Sequence, residues 1–189
     1  MNDCFAILDL PRLATLDEEM LRHAYSEKSR AAHPDHGGSE DLASKVNAAY
    51  ETLRSPEKRL KHLLELAAPD DAKQWRTVPL DDGMMGLFSK LGVALETSAI
   101  FLEQKQNAQS ALAKALLANE EMLHREMLEQ IGFELEKLRK AVESLLPVID
   151  KAFQGNNPLL WKALGFTQAK LAYLARWQTQ VRERLLALM

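Results

Sequence analysis

The tripeptide His33-Pro34-Asp35 places a sharp reversal between two helical segments. A polar helical stretch, 17–32, comes before it, and a second, 39–53, follows the short loop 36–38. Proline lacks a backbone N–H and clashes with the preceding turn, so it ends the first helix. The two glycines of the loop then let the chain reverse its direction. The sequence therefore predicts a helical hairpin whose tip exposes an imidazole, a rigid proline and a carboxylate.

Composition favours an all-α protein. Of the 189 residues, 47% are apolar, which is enough to bury a core, and only 6% are aromatic. Leu, Ala, Glu, Lys and Gln, which favour helices, outnumber the β-branched residues. The net charge of −3 argues against a nucleic-acid binder that depends on phosphate contacts. We expect no nucleic-acid partner.

The same composition predicts a cytoplasmic protein. Cys4 is the single cysteine, so the chain can form neither an internal disulfide nor a multi-cysteine zinc site. The acidic first residues do not resemble a signal peptide. No apolar run approaches about 20 residues, so we expect no membrane span.

The chain divides into a region of short helices and a region of long ones. Residues 1–68 contain the hairpin, and Pro56 restarts a further helix after it. The polar stretch 69–83 has no sustained periodicity and is predicted to be a linker that Trp75 anchors. Residues 84–189 carry long helical patterns and are predicted to form an antiparallel three-helix bundle with one very long helix.

The middle of the bundle region is ambiguous. Its apolar residues recur mostly three or four positions apart, which predicts one apolar helix face. That series comprises Leu112, Leu116, Leu123, Met127, Ile131, Leu135, Leu138, Val142 and Leu145. It fits one very long helix or two helices joined around Ala118-Asn119, and Pro147 should kink or restart the pattern.

Residues 1 to about 66 resemble the J-domain of co-chaperones. His33-Pro34-Asp35 lies between the second and third helices, Ala24-Tyr25 lies upstream and 47–50 reads Asn-Ala-Ala-Tyr downstream. This resemblance implies an activator of a DnaK-type ATPase chaperone and not an enzyme. The bare alternative is that the tripeptide is only a turn.

The J-domain resemblance also implies residue roles. His33, Pro34 and Asp35 would trigger ATP hydrolysis by the partner. Basic side chains of the second helix would dock on an acidic surface of the chaperone, with Tyr25 beside them. Those basic residues are Arg22, Lys28 and Arg30. Alternatively, each is a solvated residue of the helix surface.

Several positions depart from the J-domain pattern. Ser26-Glu27 replaces the usual basic pair, and Lys28 and Ala32 occupy positions that are usually apolar and aromatic. Residues 1–68 hold nine basic and twelve acidic residues, a net charge of −3. The second helix is therefore less basic than the family pattern.

The whole architecture resembles HscB, the co-chaperone of iron–sulfur cluster assembly. The resemblance rests on 5–11, on 47–56 with Arg59 and 63–66, and on Trp161 with 170–174. It implies that the bundle binds an iron–sulfur cluster scaffold of the IscU type. The matching client surface would contain Met84, Met85, Leu87, Phe88 and Leu91. The Arg-Glu pair that follows this surface in the family is missing, and plain packing is the alternative role for Met84, Met85 and Phe88.

Other chemistry finds little support. His33, Asp35 and His36 lack a fourth ligand, so we expect no metal site. No phosphate-binding loop or catalytic triad is evident, and we expect no cofactor.

Two alternative functions stay open. The chain is a J-domain adaptor for a different client, or a helical interaction protein whose J-like half no longer signals.

Overall fold

The computed structural model describes residues 2–67, 79–153 and 158–189. These ranges contain α-helices, one short 3-10 helix (Pro34–His36) and no strand, which confirms the all-α prediction. The α-helices are α1 (Cys4–Ile7), α2 (Glu18–Ala32), α3 (Glu40–Leu53), α4 (Pro56–Ala67), α5 (Asp82–Asn107), α6 (Ala111–Glu143), α7 (Leu146–Phe153) and α8 (Pro158–Leu188).

Side-chain caps set the starts of the hairpin helices. The Asp17 carboxylate accepts a hydrogen bond from the Met20 N–H, and the Ser39 hydroxyl accepts one from the Leu42 N–H. Such caps satisfy backbone donors that have no partner inside the helix. The predicted hairpin boundaries are thus confirmed.

The chain forms two compact units. The first comprises Met1–Val78 and Val142–Ala172, and the second comprises Pro79–Ala141 and Tyr173–Met189. The predicted domains at 1–68 and 84–189 stay a prediction. Most of the predicted linker 69–83, including Trp75, lies outside the described residues.

A buried arginine and a carboxylate hold the first unit together. Asp150 on α7 accepts hydrogen bonds from the backbone N–H groups of Ala14 (2.6 Å) and Thr15 (2.7 Å). Arg59 on α4 donates to the carbonyl oxygens of Ala14 (2.8 Å) and Leu53 (2.6 Å). The peptide group between Ala14 and Thr15 therefore has both its carbonyl and its N–H hydrogen-bonded, which fixes the loop before α2.

The second unit is a three-helix bundle, as predicted. The Lys90 and Lys105 ammonium groups of α5 pair with Glu134 (3.1 Å) and Glu121 (2.7 Å) of α6, so these helices run antiparallel. Arg139 of α6 donates to the side-chain oxygen of Gln178 on α8 (3.1 Å). The core of the unit includes Met84, Leu91, Phe101, Leu128, Leu135 and Trp177.

Most of the long apolar pattern lies on a single helix, α6, although the sequence also allowed two helices. α6 is continuous through Ala118-Asn119, so the alternative of a joint there is wrong. A helix break follows Glu143, and α7 then begins with Pro147 in its first turn, which confirms the predicted restart.

The predicted single apolar face of this pattern is only partly buried. Ile131 and Leu135 are buried, whereas Leu112, Leu116 and Leu123 are largely exposed. Each step of four residues turns about 40° past a full turn, so the repeated steps of four from Leu123 to Leu135 move the pattern around the axis.

The helix α5 is long and apolar enough to cross a membrane by length and composition. The expectation that the chain has no membrane span stays a prediction. Core helices of bundles meet the test of length and composition equally, and α5 buries one face, including Leu91, Ala94 and Phe101, inside the second unit. Length and composition alone are weak evidence for a span.

Candidate functional site

The tip of the hairpin has a defined backbone geometry. His33 ends α2 in an extended conformation, and Pro34 opens the short 3-10 helix. The His33 carbonyl accepts hydrogen bonds from the N–H groups of His36 (2.9 Å) and Gly38 (3.1 Å). The loop is thus closed on itself by backbone bonds and does not depend on a partner for its shape.

The two glycines of the tip serve different needs. Gly37 has φ of 85°, in the left-handed region that favours glycine. At Gly38, an added Cβ would come within 2.1 Å of the Ala32 carbonyl oxygen. A side chain at Gly38 therefore requires the end of α2 to move.

His33 and Asp35 contact each other while staying exposed. The Asp35 N–H donates to Nδ1 of His33 at 3.2 Å, and a carboxylate oxygen of Asp35 lies 3.5 Å from the same nitrogen. The side chains are 58% and 83% exposed, respectively. An exposed carboxylate on a fixed backbone can accept a bidentate pair from an arginine of another protein.

Tyr25 fastens α2 to α3 below the tip. Its ring stacks on Tyr50 with ring centroids 4.2 Å apart. Its hydroxyl donates to the side-chain oxygen of Asn47 at 2.8 Å. Tyr25 therefore holds the hairpin together in addition to presenting a surface.

A shallow groove of about 460 Å³ runs from α2 to the tip. It brings together four of the residues predicted to bind the chaperone, namely Tyr25, Arg30, His33 and Asp35. Sequence reasoning missed three further groove residues, Ser26, Ser29 and His36. Helical spacing gives the missing signal for two of them, because Ser29 lies four residues from both Tyr25 and His33, and Ser26 lies three residues before Ser29.

Arg22 and Lys28 do not line this groove. Lys28 forms an ion pair with Asp9, which has a φ of 52°. Arg22 lines a separate cavity of about 500 Å³ in the first unit, together with Arg54 and Arg59. The predicted basic residues thus lie in three places, and only Arg30 lies beside His33.

The predicted client surface is mostly buried. Met84, Leu87 and Leu91 pack in the core of the second unit. Met85 and Phe88 are about half exposed, and the Phe88 ring lies 5.6 Å from that of Trp177. The helix turns three of the five side chains inward, so their contribution is packing and the available surface is narrower than predicted.

Two ionisable groups are buried among the described residues of the first unit. Burial lowers the pKa of Arg59, while the carboxylates of Glu143 and Asp150 act to raise it. Burial also lowers the pKa of His62, whose Nε2 accepts a hydrogen bond from the Cys4 N–H at 3.0 Å. That bond requires an unprotonated Nε2, so neutral His62 anchors the start of α1.

Among residues 2–67, 79–153 and 158–189, no three His, Cys, Asp or Glu side chains come close enough together to hold a metal ion. His33, Asp35 and His36 are near one another at the tip, but do not form such a group.

Comparison with known proteins assigns the hairpin to a class. Residues 3–62 match the DnaJ domain, and the His33-Pro34-Asp35 tip described above lies within the matched residues. This match covers α1 to most of α4.

Sequence similarity extends to the HscB co-chaperones. The chain is 33% identical over 85 residues to the co-chaperone protein HscB of Proteus mirabilis. That match covers 40% of this chain and 49% of the relative. The chain thus spans about half the length of the relative that it matches.

Solved structures of HscB share the fold. Chaperone HscB from Vibrio cholerae matches with a TM-score of 0.60 at 19% identity, covering 100% of both chains. Human co-chaperone protein HscB matches with a TM-score of 0.58 at 19% identity, covering 97% of this chain and 82% of the human chain. The likeness of fold therefore includes the helical bundle.

Proposed function

We propose that this protein is a co-chaperone that stimulates ATP hydrolysis by a DnaK-type chaperone. The exposed His33-Pro34-Asp35 tip is the observation that carries the proposal. The backbone bonds of the tip fix the main chain that carries the Asp35 carboxylate before a partner arrives, which lowers the entropy cost of binding. In this role the protein is a regulator in the cytoplasm and not an enzyme.

Arg30 and the groove around it support the docking step. A cation beside the tip favours approach to an acidic surface and sets the register of the complex more than it adds affinity. Lys28, held by Asp9, contributes less. The binding residues are accordingly His33, Pro34, Asp35, Tyr25 and Arg30, with Arg22 at the far end of α2.

Single-turnover ATP hydrolysis by a purified DnaK-type chaperone tests this function. The full chain should accelerate hydrolysis, and the variants His33→Gln and Asp35→Asn should each lower that acceleration at least about tenfold, the effect of losing 1.4 kcal/mol. Lys61→Gln is the matched control, since Lys61 is an exposed residue of α4. Equal acceleration by wild type and His33→Gln would show that the tip is silent, as in the alternative of a helical interaction protein.

For the client, we propose an iron–sulfur cluster scaffold of the IscU type, on the resemblance to HscB. Met85 and Phe88 offer an exposed apolar contact, and methionine adapts its shape to a partner. Calorimetry of the full chain with such a scaffold should give a complex that Phe88→Ser weakens. No heat and no complex at high micromolar concentration would remove this client.

A different client is the second candidate. Burial of Met84, Leu87 and Leu91 leaves a small surface on this part of α5, and the Arg-Glu pair of the family is missing. A pull-down from native lysate that recovers the chaperone without a scaffold would favour a J-domain adaptor for another protein.

A further inference from the structure

The side of α6 that faces solvent near its N-terminus is apolar. Leu112 and Leu116 are each 71% exposed, Leu123 is 61% exposed and Met122 is 54% exposed. Steps of four and seven residues place the three leucines along one line of the helix surface, which Asn119 shares, whereas Met122 is turned about 100° away from Leu123. The three leucines form what we call the outer α6 face.

The outer α6 face is separate from the face that packs in the bundle. The core face of the same helix carries Leu128, Ile131 and Leu135, all buried. A bundle helix needs one apolar stripe to pack against its neighbours, and α6 has two. A row of exposed leucines of this kind indicates a binding surface.

The neighbouring helices of the unit end near the start of this face. Lys105, close to the C-terminal end of α5, pairs with Glu121 at 2.7 Å and donates to the Leu188 carbonyl at 3.2 Å. The first turns of α6, which carry Leu112 and Leu116, lie N-terminal to Glu121 and therefore beyond its contact with Lys105. Within the second unit they are therefore accessible.

Carboxylates border the outer α6 face. Glu120 lies four residues after Leu116 and three before Leu123, so it adjoins both. Glu126 lies three residues after Leu123, and both carboxylates are exposed. The cations Lys114 and Arg125 each lie two residues from a leucine of the face, which puts them on another side of the helix.

We infer that the outer α6 face binds a basic amphipathic helix of a partner protein. Apolar side chains spaced by three and four residues on the partner would cover the leucines, and lysines or arginines beside them would pair with Glu120 and Glu126. A second copy of this chain would bring these carboxylates against each other. Anionic lipid headgroups would meet the same repulsion, so charge favours a basic protein segment.

This inference goes beyond the proposed function, because it uses residues that the chaperone and scaffold proposals do not. The test is fluorescence anisotropy of the full chain with a labelled synthetic helical peptide that carries leucines on one face and lysines beside them. The complex of the chain with this lysine peptide should have a dissociation constant on the order of 10 μM. A matched peptide with glutamates in place of the lysines should bind at least about tenfold more weakly.

Variants of the protein locate the site. Leu116→Gln combined with Leu123→Gln should weaken binding of the lysine peptide at least about tenfold. Leu186→Gln is the control, since Leu186 is 63% exposed on α8 and should leave affinity unchanged. Glu120→Lys combined with Glu126→Lys should reverse the preference between the two peptides.

Any one of four outcomes would overturn the inference. The lysine peptide binds wild type and the double-leucine variant equally, or fails to bind at high micromolar concentration. Sedimentation shows a wild-type dimer that the double-leucine variant abolishes, which assigns the face to a second copy. Vesicles of phosphatidylglycerol bind the wild type and lose binding with the same variant, which assigns it to lipid. ATPase stimulation measured without peptide should not change, so failure of either proposal leaves the other standing.

Discussion

The hairpin tip and the outer α6 face are both exposed, but they are built differently. The tip depends on particular atoms, such as the Ala32 carbonyl that approaches Gly38 and the His33 carbonyl that closes the loop. The outer α6 face depends on leucines that project from a regular helix and contact little. A site defined by backbone geometry should respond sharply to single changes, whereas a site defined by apolar area should respond gradually.

The largest expected effect lies at the base of the hairpin. Arg59→Met leaves the buried carbonyls of Ala14 and Leu53 without their donor, which should lower the free energy of unfolding of the chain by about 3 kcal/mol. Urea denaturation of the full chain measures it. Arg54→Met is the control, because Arg54 is exposed and should change stability by less than about 0.5 kcal/mol. Similar losses for both variants would mean that the buried bonds contribute little.

A smaller effect is expected at the tip itself. Gly38→Ala forces a contact with the end of α2 and should cost about 2 kcal/mol of stability, in the range of overpacked sites. Gly37→Ala has space for its Cβ but an unfavourable φ, so it should cost about 1 kcal/mol. Urea denaturation ranks the two. The reverse order would show that the loop relaxes around Gly38 at little cost.

The anchor of α1 should make stability depend on pH. Burial holds the pKa of His62 below its ordinary value of 6.5, so the unfolded chain takes up a proton there before the folded chain does. Stability is therefore lost as pH falls below about 6.5. The free energy of unfolding should fall more steeply from pH 7 to pH 5 for wild type than for His62→Gln.

His23→Gln provides the control for that experiment, since His23 is exposed. Its pH dependence should follow wild type. A His62→Gln profile parallel to wild type would show that this imidazole does not couple protonation to folding.

The smallest effect should appear on the outer α6 face. Leu116→Gln removes an exposed side chain, and leucine and glutamine have similar helix propensities, so stability should change by less than about 0.5 kcal/mol. Leu135→Ala, on the core face of the same helix, should cost about 3 kcal/mol. Thermal unfolding of the two variants compares them. A large loss for Leu116→Gln would mean that this face packs within the protein, and the outer face would then be no binding surface.

Local features of the chain could be predicted because their causes are local. Asp17 and Ser39 cap their helices by accepting hydrogen bonds from N–H groups three residues further along the chain. Pro34 ends α2 through its own ring. The position of the tip therefore followed from short stretches of residues. The groove residue Ser29 could also be predicted, because it lies four residues from both Tyr25 and His33 on the same face of α2.

Other features depend on contacts between distant residues. Asp150 binds Ala14 across 136 positions, and no sequence pattern marks the two as partners. Likewise, all leucines of the α6 pattern look equivalent along the chain. The exposure of Leu112 and the burial of Leu135 depend on which helices lie beside each turn.

The sequence by itself determined that the chain is helical, where its first helices begin and end, and that an imidazole, a proline and a carboxylate stand at a hairpin tip. Caps, prolines and apolar periodicity act over a few residues, so they can be read without knowing the rest of the fold. The tertiary structure alone decided that Met84, Leu87 and Leu91 turn inward and that a second apolar face of α6 stays exposed. Burial is a property of neighbours in space, and those neighbours come from the whole chain.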